Sequence, residues 1–179
     1  GKLMSDSDKV KRRLMTLNCT FDPDTGEELS SIERESFFPN VVRIGKGRFY
    51  KVWPRAIDSI DDKHMYKFIK LLTFLEGPNQ RLGYFKQGEE PIPLKKIHMS
   101  RELHVDPKTI RCFIKDMIDI KAYFKFDGHF YINPSFAIRT RDIHTKYIFE
   151  MLRMDPVIKD YIPKHEQNKL DLFKRSAKL

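Results

Sequence analysis

The chain has 179 residues, 40% of them hydrophobic and 12% aromatic, which suits one globular domain with appendages or two small domains. Lysine and arginine number 34 against 25 acidic residues, and this formal net charge of +9 favours a polyanionic partner, nucleic acid before a membrane surface. Two distant cysteines exclude a disulfide framework, and no stretch has the length and apolar content of a membrane span or signal core, so we expect a cytoplasmic protein.

The N-terminal third is predicted to hold strands behind a basic arm. Residues 1–13 end in a basic run, which predicts either a flexible arm that touches phosphate or a solvated tail. Over residues 14–56 the apolar residues alternate, and Asp22–Gly26 supplies a turn between two strands. A second pair, Val41–Ile44 with Arg48–Trp53, closes over a Gly-Lys-Gly tip. We expect residues 14–56 to form an antiparallel β extension.

Residues 57–139 are predicted to form the main domain, which opens on a helix from about Asp61 to Glu76. Five apolar residues recur there on one helical face: Met65, Phe68, Ile69, Leu72 and Leu75. Gly77-Pro78-Asn79 ends the helix, and the Gly- and Pro-rich stretch at 82–91 predicts a loop with a short strand at its start.

The stretch Pro93–Pro134 carries the strongest pattern, two helices joined by a short turn and followed by a hairpin. Ser100 is the small residue expected where the helices approach, and His104 occupies a turn position that prefers a positive φ. Asp106 is a good N-cap with Pro107 behind it. The predicted buried stripe of the second helix is Ile110, Phe113, Ile114, Met117 and Ile118.

Two apolar-aromatic strands, Tyr123–Phe126 and His129–Ile132, flank Asp127-Gly128, a dipeptide typical of two-residue hairpin turns. A helix-turn-helix followed by a hairpin is the sequence plan of a winged-helix DNA-binding domain. The predicted fold class is therefore α+β: a winged helix-turn-helix with an N-terminal antiparallel β-hairpin extension and C-terminal helices.

The outer face of the second helix is the predicted contact with double-stranded DNA. Arg111 is assigned to a bidentate bond with a guanine edge, and Lys108 and Lys115 are assigned to phosphates. Residues 93–141 hold ten basic and five acidic residues, or +5 of the +9. A solvated basic helix face is the alternative. The full predicted DNA-binding set is Lys95, Lys108, Thr109, Arg111, Cys112, Lys115, Lys121, Lys125 and His129.

Residues 140–179 are predicted to form a C-terminal helical segment. A helix over Thr140–Met154 stops at Asp155-Pro156, and the final seventeen residues form a short amphipathic helix or a frayed tail. One face of the first helix either makes a homodimer interface or packs back on its own domain. That face carries Tyr147, Ile148, Met151 and Leu152.

No catalytic pattern is present in the sequence. A phosphate-cradling glycine loop, HExxH and GxSxG are all absent, and the six histidines fall in separate elements without ligand spacing. A nickase would require a His-x-His pair, which the chain lacks. We predict no enzymatic activity, no metal and no cofactor.

The stretch from Tyr131 to Phe136, a strand that ends in an aromatic-apolar-Asn-Pro motif directly after the hairpin, resembles RepL-type plasmid replication initiators of Gram-positive bacteria and related phage proteins. The D-x-x-T-G-E turn that begins at Asp22 is similar too. The resemblance covers roughly residues 15–141 and departs at His104 and in the loop at 82–91. It implies origin or operator binding, as a replication initiator or transcriptional regulator, and recruitment of host replication proteins. The alternative is an adaptor that binds a host protein such as RNA polymerase.

Overall fold

A computed structural model of the chain describes residues 16–21, 24, 28–34 and 49–176. The chain divides into two units, Gly1–Gly47 and Arg48–Leu179. Several predicted features lie outside the described residues: the basic arm at 1–13, the strand Val41–Ile44 and the Gly-Lys-Gly tip.

The first unit contains an antiparallel strand pair, β1 (Thr16–Phe21) and β2 (Glu28–Arg34). Its register runs from Thr16 opposite Arg34 to Phe21 opposite Glu28, with an irregularity between Thr20 and Phe21. The strand pair predicted on either side of the turn at 22–26 is thus confirmed.

The second unit is a mixed α/β fold of helices and small antiparallel sheets. Its strands are β3 (Lys51–Val52), β4 (Gly83–Tyr84), β5 (Ile92–Pro93), β6 (Tyr123–Phe126), β7 (His129–Ile132) and β8 (Ala137–Ile138). Its helices are α1 (Pro54–Ser59), α2 (Asp62–Leu71), α3 (Lys96–Leu103), α4 (Pro107–Asp119), α5 (Thr145–Met154) and α6 (Lys164–Ser176). Two 3₁₀ helices, Leu72–Phe74 and Pro156–Tyr161, follow α2 and α5. The strands pair as β3 with β8, β4 with β5 and β6 with β7.

The second unit starts before residue 57, where the sequence placed its boundary. Strand β3 pairs with β8, so that Val52 lies opposite Ala137, and the sequence did not predict this pairing. Helix α1, which the sequence also did not predict, begins with Pro54 in its first turn and buries Ala56 completely. Residues 51–56 therefore belong to the main core rather than to the β extension.

Helix α2 is shorter than predicted and presents a different face to the core. The Asp61 side chain accepts a hydrogen bond from the backbone N–H of Lys63 at 3.1 Å, which fixes the start of the helix. Phe68 and Leu71 are fully buried, but Ile69 is 43% exposed. The prediction that Ile69 lies on the buried face was wrong, because the buried positions 64, 68 and 71 recur every three to four residues and 69 falls outside that row.

The turn between α3 and α4 has the predicted geometry. His104 adopts the left-handed conformation, with φ 52° and ψ 45°, and the Ser100 hydroxyl donates a hydrogen bond to the carbonyl of Val105 across the turn. Asp106 accepts a hydrogen bond from the backbone N–H of Lys108 at 2.6 Å. Ile110, Phe113, Ile114 and Met117 are buried as predicted. Ile118 is 39% exposed, because it lies one position beyond the row that Met117 completes, so that part of the predicted stripe was wrong.

The β6–β7 hairpin is covered on both faces. Asp127 and Gly128 have φ values of 51° and 71°, as a two-residue turn of the predicted kind requires. Tyr123 and Ile132 are paired across the hairpin and belong to the main core. Phe124 and Tyr131 form the next pair, with side chains on the opposite face, and belong to a second apolar cluster.

Helix α5 completes that second cluster. Ile148 and Met151 are 6% and 0% exposed and pack with Phe124 and Tyr131 of the hairpin and with Ile158. Of the two alternatives that the sequence left open for this face of the helix, the structure has intramolecular packing. Within the chain, Ile148 and Met151 thus already have packing partners, while Tyr147 and Leu152 are only partly buried.

A buried polar network joins segments that are far apart in the sequence. Asn133 donates to Asp155 at 2.7 Å and to the carbonyl of Lys121 at 2.8 Å, and its own side-chain oxygen accepts from the Ser135 backbone N–H at 2.9 Å. Arg55 pairs with Asp155 at 2.6 Å. Burial alone would raise the pKa of Asp155, but the hydrogen bonds from Arg55 and Asn133 outweigh it and hold that pKa below its usual value.

Helix α6 is peripheral. None of its residues is buried, and Leu172 and Phe173 are 64% and 54% exposed. Within the described residues, no helix combines the length and the apolar content needed to cross a membrane.

Candidate nucleic-acid interface

Helix α4 presents a row of polar and basic side chains on the side opposite its buried stripe. Its thirteen residues span about 20 Å, a length that fits along a DNA groove. Five residues of the predicted set lie on this helix, and all five are exposed: Lys108, Thr109, Arg111, Cys112 and Lys115. The sequence prediction of which residues face outward is confirmed for these five.

The cations of this face are electrostatically available. Among the described residues, no carboxylate forms an ion pair with Lys108, Arg111 or Lys115. Asp116 follows Lys115, but its carboxylate lies 2.6 Å from Nε2 of His64 on α2. The hydrogen bond from His64 lowers the pKa of Asp116, and its negative charge is held toward α2 rather than beside Arg111.

Helix α3 adds a second basic region at its start. Lys95 and Lys96 are exposed there, and the Lys95 backbone N–H donates to Nδ1 of His98 at 3.0 Å, which orders the first turn. Arg101, in the last turn of α3, is also exposed. Sequence reasoning did not include Arg101, although its position on the same helix face as Ile97 was readable from the helical period.

The hairpin residues divide into two kinds. Lys121 and Lys125 are exposed; the first has a φ of 63° and the second lies with its ammonium 5.3 Å from the centroid of the Phe130 ring. His129 is partly buried beside Tyr131. Burial, with a smaller effect of Arg81, lowers the pKa of His129 and so favours its neutral ring.

One group of side chains in the described part of the chain has the composition of a metal site. Nε2 of His64, Sγ of Cys112 and a carboxylate oxygen of Asp116 all lie within 4.8 Å of one another. The sequence predicted no metal, because these residues come from two helices and His64 is 48 positions before Cys112. The four-residue spacing of Cys112 and Asp116 was the only local signal, since it places both on one helix face.

Comparisons of the chain with protein-family models, with curated proteins and with solved structures give no match.

Proposed function

We propose that α3, α4 and the β6–β7 hairpin form a winged helix-turn-helix that binds double-stranded DNA at specific sequences. Helix α4 lies in the major groove, and the hairpin contacts the backbone or the minor groove beside it. The process served is replication initiation or transcriptional regulation by a plasmid or phage, as the resemblance to RepL-type initiators implies. The role is binding rather than catalysis.

The exposed basic face of α4, which forms no ion pair with any residue that the structure describes, carries the proposal. Arg111 is exposed at the middle of that face, and its guanidinium suits a bidentate bond to O6 and N7 of guanine. Lys108 and Lys115 lie three to four residues to either side of it, at a spacing suited to phosphates along the groove. The left-handed turn at His104 and the N-cap at Asp106 set the angle at which this face leaves the core.

The hairpin contribution comes from Lys121 and Lys125. Lys121 lies in the turn between α4 and β6, and Lys125 lies on β6. Both are exposed cations, as a phosphate-binding wing requires. His129, whose pKa is lowered chiefly by burial, contributes less positive charge than the two lysines.

The test is binding of the full chain to duplex fragments from its own gene and upstream region, measured by fluorescence anisotropy. Arg111→Ala is expected to weaken binding to the cognate fragment by about 1–3 kcal/mol and to relax specificity at one base pair. Lys115→Ala is expected to weaken binding uniformly across sequences and to reduce the log–log salt slope by about 0.9. The matched control is Arg153→Ala, because Arg153 is equally a surface arginine, 67% exposed, but lies on α5. Equal affinity of wild type and Arg111→Ala for the cognate fragment would refute the assignment of α4 to the groove.

A second candidate is an adaptor that binds a host protein such as RNA polymerase. The observation in its favour is the C-terminal region, where α6 exposes Leu172 and Phe173 and a cleft of about 580 Å³ lies between α5 and α6. Phe149, Leu152, Ile162 and Leu170 supply its apolar lining. For an adaptor, the double variant Leu172→Asp with Phe173→Asp abolishes capture of the host protein, and Arg111→Ala leaves that capture intact. For the DNA-binding function, Arg111→Ala weakens DNA binding, and the double variant leaves DNA binding intact.

A further inference from the structure

We propose that His64, Cys112 and Asp116 form a binding site for a divalent transition-metal ion of the Zn²⁺ class, which joins α2 to the outer face of α4. Although Cys112 also lies on the proposed DNA-binding face, the metal site can be tested without DNA.

The three ligand atoms converge from two directions. Cys112 and Asp116 are four residues apart on α4, with Sγ of the first 4.0 Å from a carboxylate oxygen of the second. His64 comes from α2, and its Nε2 lies 2.6 Å from the same oxygen. Ligand atoms around a tetrahedral zinc ion are about 3.4 Å apart, given bond lengths of about 2.0–2.3 Å. The observed separations of 4.0 Å and 2.6 Å lie on both sides of that value. Side-chain movements of about an ångström therefore bring the three atoms to the distances that the ion requires.

The histidine is held in place by the core. His64 is 4% exposed, and its ring makes an edge contact with Phe113, with the centroids 5.4 Å apart. A buried ring whose Nε2 points out toward two further donors is a ligand with little conformational freedom left to lose. Cys112 is exposed and Asp116 is partly exposed, so an ion has access from solvent and a water completes the fourth position.

The donor set and its surroundings select the class of ion. One nitrogen, one sulfur and one oxygen suit Zn²⁺ or Co²⁺, whereas Mg²⁺ and Ca²⁺ require several oxygens. The positive charges of Lys63 and Lys115 both act on Asp116. Their repulsion disfavours a cation that is held by electrostatic attraction alone. An ion that also forms coordinate bonds to the thiolate and the imidazole can offset that repulsion. On binding, the Cys112 thiol releases its proton to water and the imidazole carries its proton on Nδ1.

The main experiment is titration of the reduced, metal-free full chain with Co²⁺, followed by the thiolate-to-cobalt charge-transfer absorption. We expect one ion per chain, displaced by Zn²⁺. Cys112→Ser should abolish the band, and the matched control Cys19→Ser, which removes the other cysteine, should retain it. A band that survives in Cys112→Ser, or that is lost in Cys19→Ser, would overturn the proposal, as would the absence of a band in the wild type.

A second measurement covers the imidazole and the carboxylate. Zn²⁺ is expected to raise the Tm of wild type and of Cys19→Ser, because an ion that binds only the folded state stabilises it. Asp116→Asn should weaken Co²⁺ binding at least tenfold without disturbing the buried ring. His64→Gln should abolish the Zn²⁺-dependent rise in Tm, whatever its own starting Tm. Equal Tm rises in wild type, Cys112→Ser and His64→Gln would show that the ion binds elsewhere.

Discussion

Single residues with unusual backbone conformations position the basic face of α4. His104 adopts a left-handed conformation with φ 52°, and Lys121 does so at the other end of the helix with φ 63°. A residue other than glycine in this region is strained, because its Cβ approaches the following carbonyl. Both residues are exposed, so neither side chain contributes to packing of the core. The two turns set where α4 enters and leaves the core.

Replacing His104 separates conformational strain from side-chain contacts. His104→Gly is expected to raise the free energy of unfolding by about 0.5–1 kcal/mol, because relief of strain exceeds the entropy that glycine adds to the unfolded chain. His104→Ala removes the same side chain but keeps a Cβ, and should give no gain. Urea denaturation of the three proteins measures the difference. A gain for alanine equal to that for glycine would mean that the imidazole, not the backbone, causes the strain.

The β6–β7 hairpin lies between two apolar clusters and contributes side chains to both. Its strands place Tyr123 and Ile132 in the main core, and Phe124 and Tyr131 against α5. The ring of Phe126 stacks on that of Tyr131 with centroids 3.9 Å apart, which extends the second cluster toward the tip. Helix α5 therefore packs against and supports the hairpin that the proposed function uses as a wing.

Truncation of Met151 tests this bracing. Met151→Ala is expected to lower the free energy of unfolding by about 2–5 kcal/mol, because it leaves a cavity between α5 and the hairpin. Leu172→Ala removes a similar side chain that is 64% exposed on α6, and should change stability by no more than about 0.5 kcal/mol. Both are measured by thermal or urea unfolding. A cost at Leu172 as large as that at Met151 would show that α6 is part of the folded core.

For the second unit as a whole, the Arg55–Asp155–Asn133 network connects α1, the end of the hairpin and the segment after α5. Asp155 is 1% exposed and accepts from both Arg55 and Asn133. A buried carboxylate with these partners stabilises the fold only while it is ionised. The stability that this network adds to the second unit therefore depends on pH.

The pH dependence has a definite sign. The pKa of Asp155 is lower in the folded protein than its ordinary value of about 3.9, so its contribution is fully present above the ordinary pKa and is lost as pH falls through it toward the folded value. The difference in unfolding free energy between wild type and Asp155→Asn should therefore be largest near pH 7 and shrink below about pH 4. Asp160→Asn, an exposed aspartate in the same segment, is the control. A difference between wild type and Asp155→Asn that stays constant down to about pH 3 would contradict this account.

The sequence by itself determined the features that depend on neighbours within one or two turns. The Asp106 cap, the left-handed turn at His104, the hairpin at Asp127-Gly128 and the exposed row on α4 all follow from spacing within about forty residues, because local geometry sets helix faces and turn types. Single positions at the edges of helix faces, such as Ile69 and Ile118, were misplaced, since a pattern read in steps of three and four does not resolve where a face ends.

Only the tertiary structure decided which distant segments meet. The pairing of β3 with β8, the packing of α5 on the hairpin, the Arg55–Asp155 pair and the approach of His64 to Cys112 and Asp116 each join residues of separate elements. No periodicity encodes such contacts, because they arise when apolar faces are buried together and the polar groups carried in with them need partners. The exposed polar face of α4 could therefore be predicted from the sequence. The grouping of His64 with Cys112 and Asp116 could not, because it forms only when α2 packs against α4.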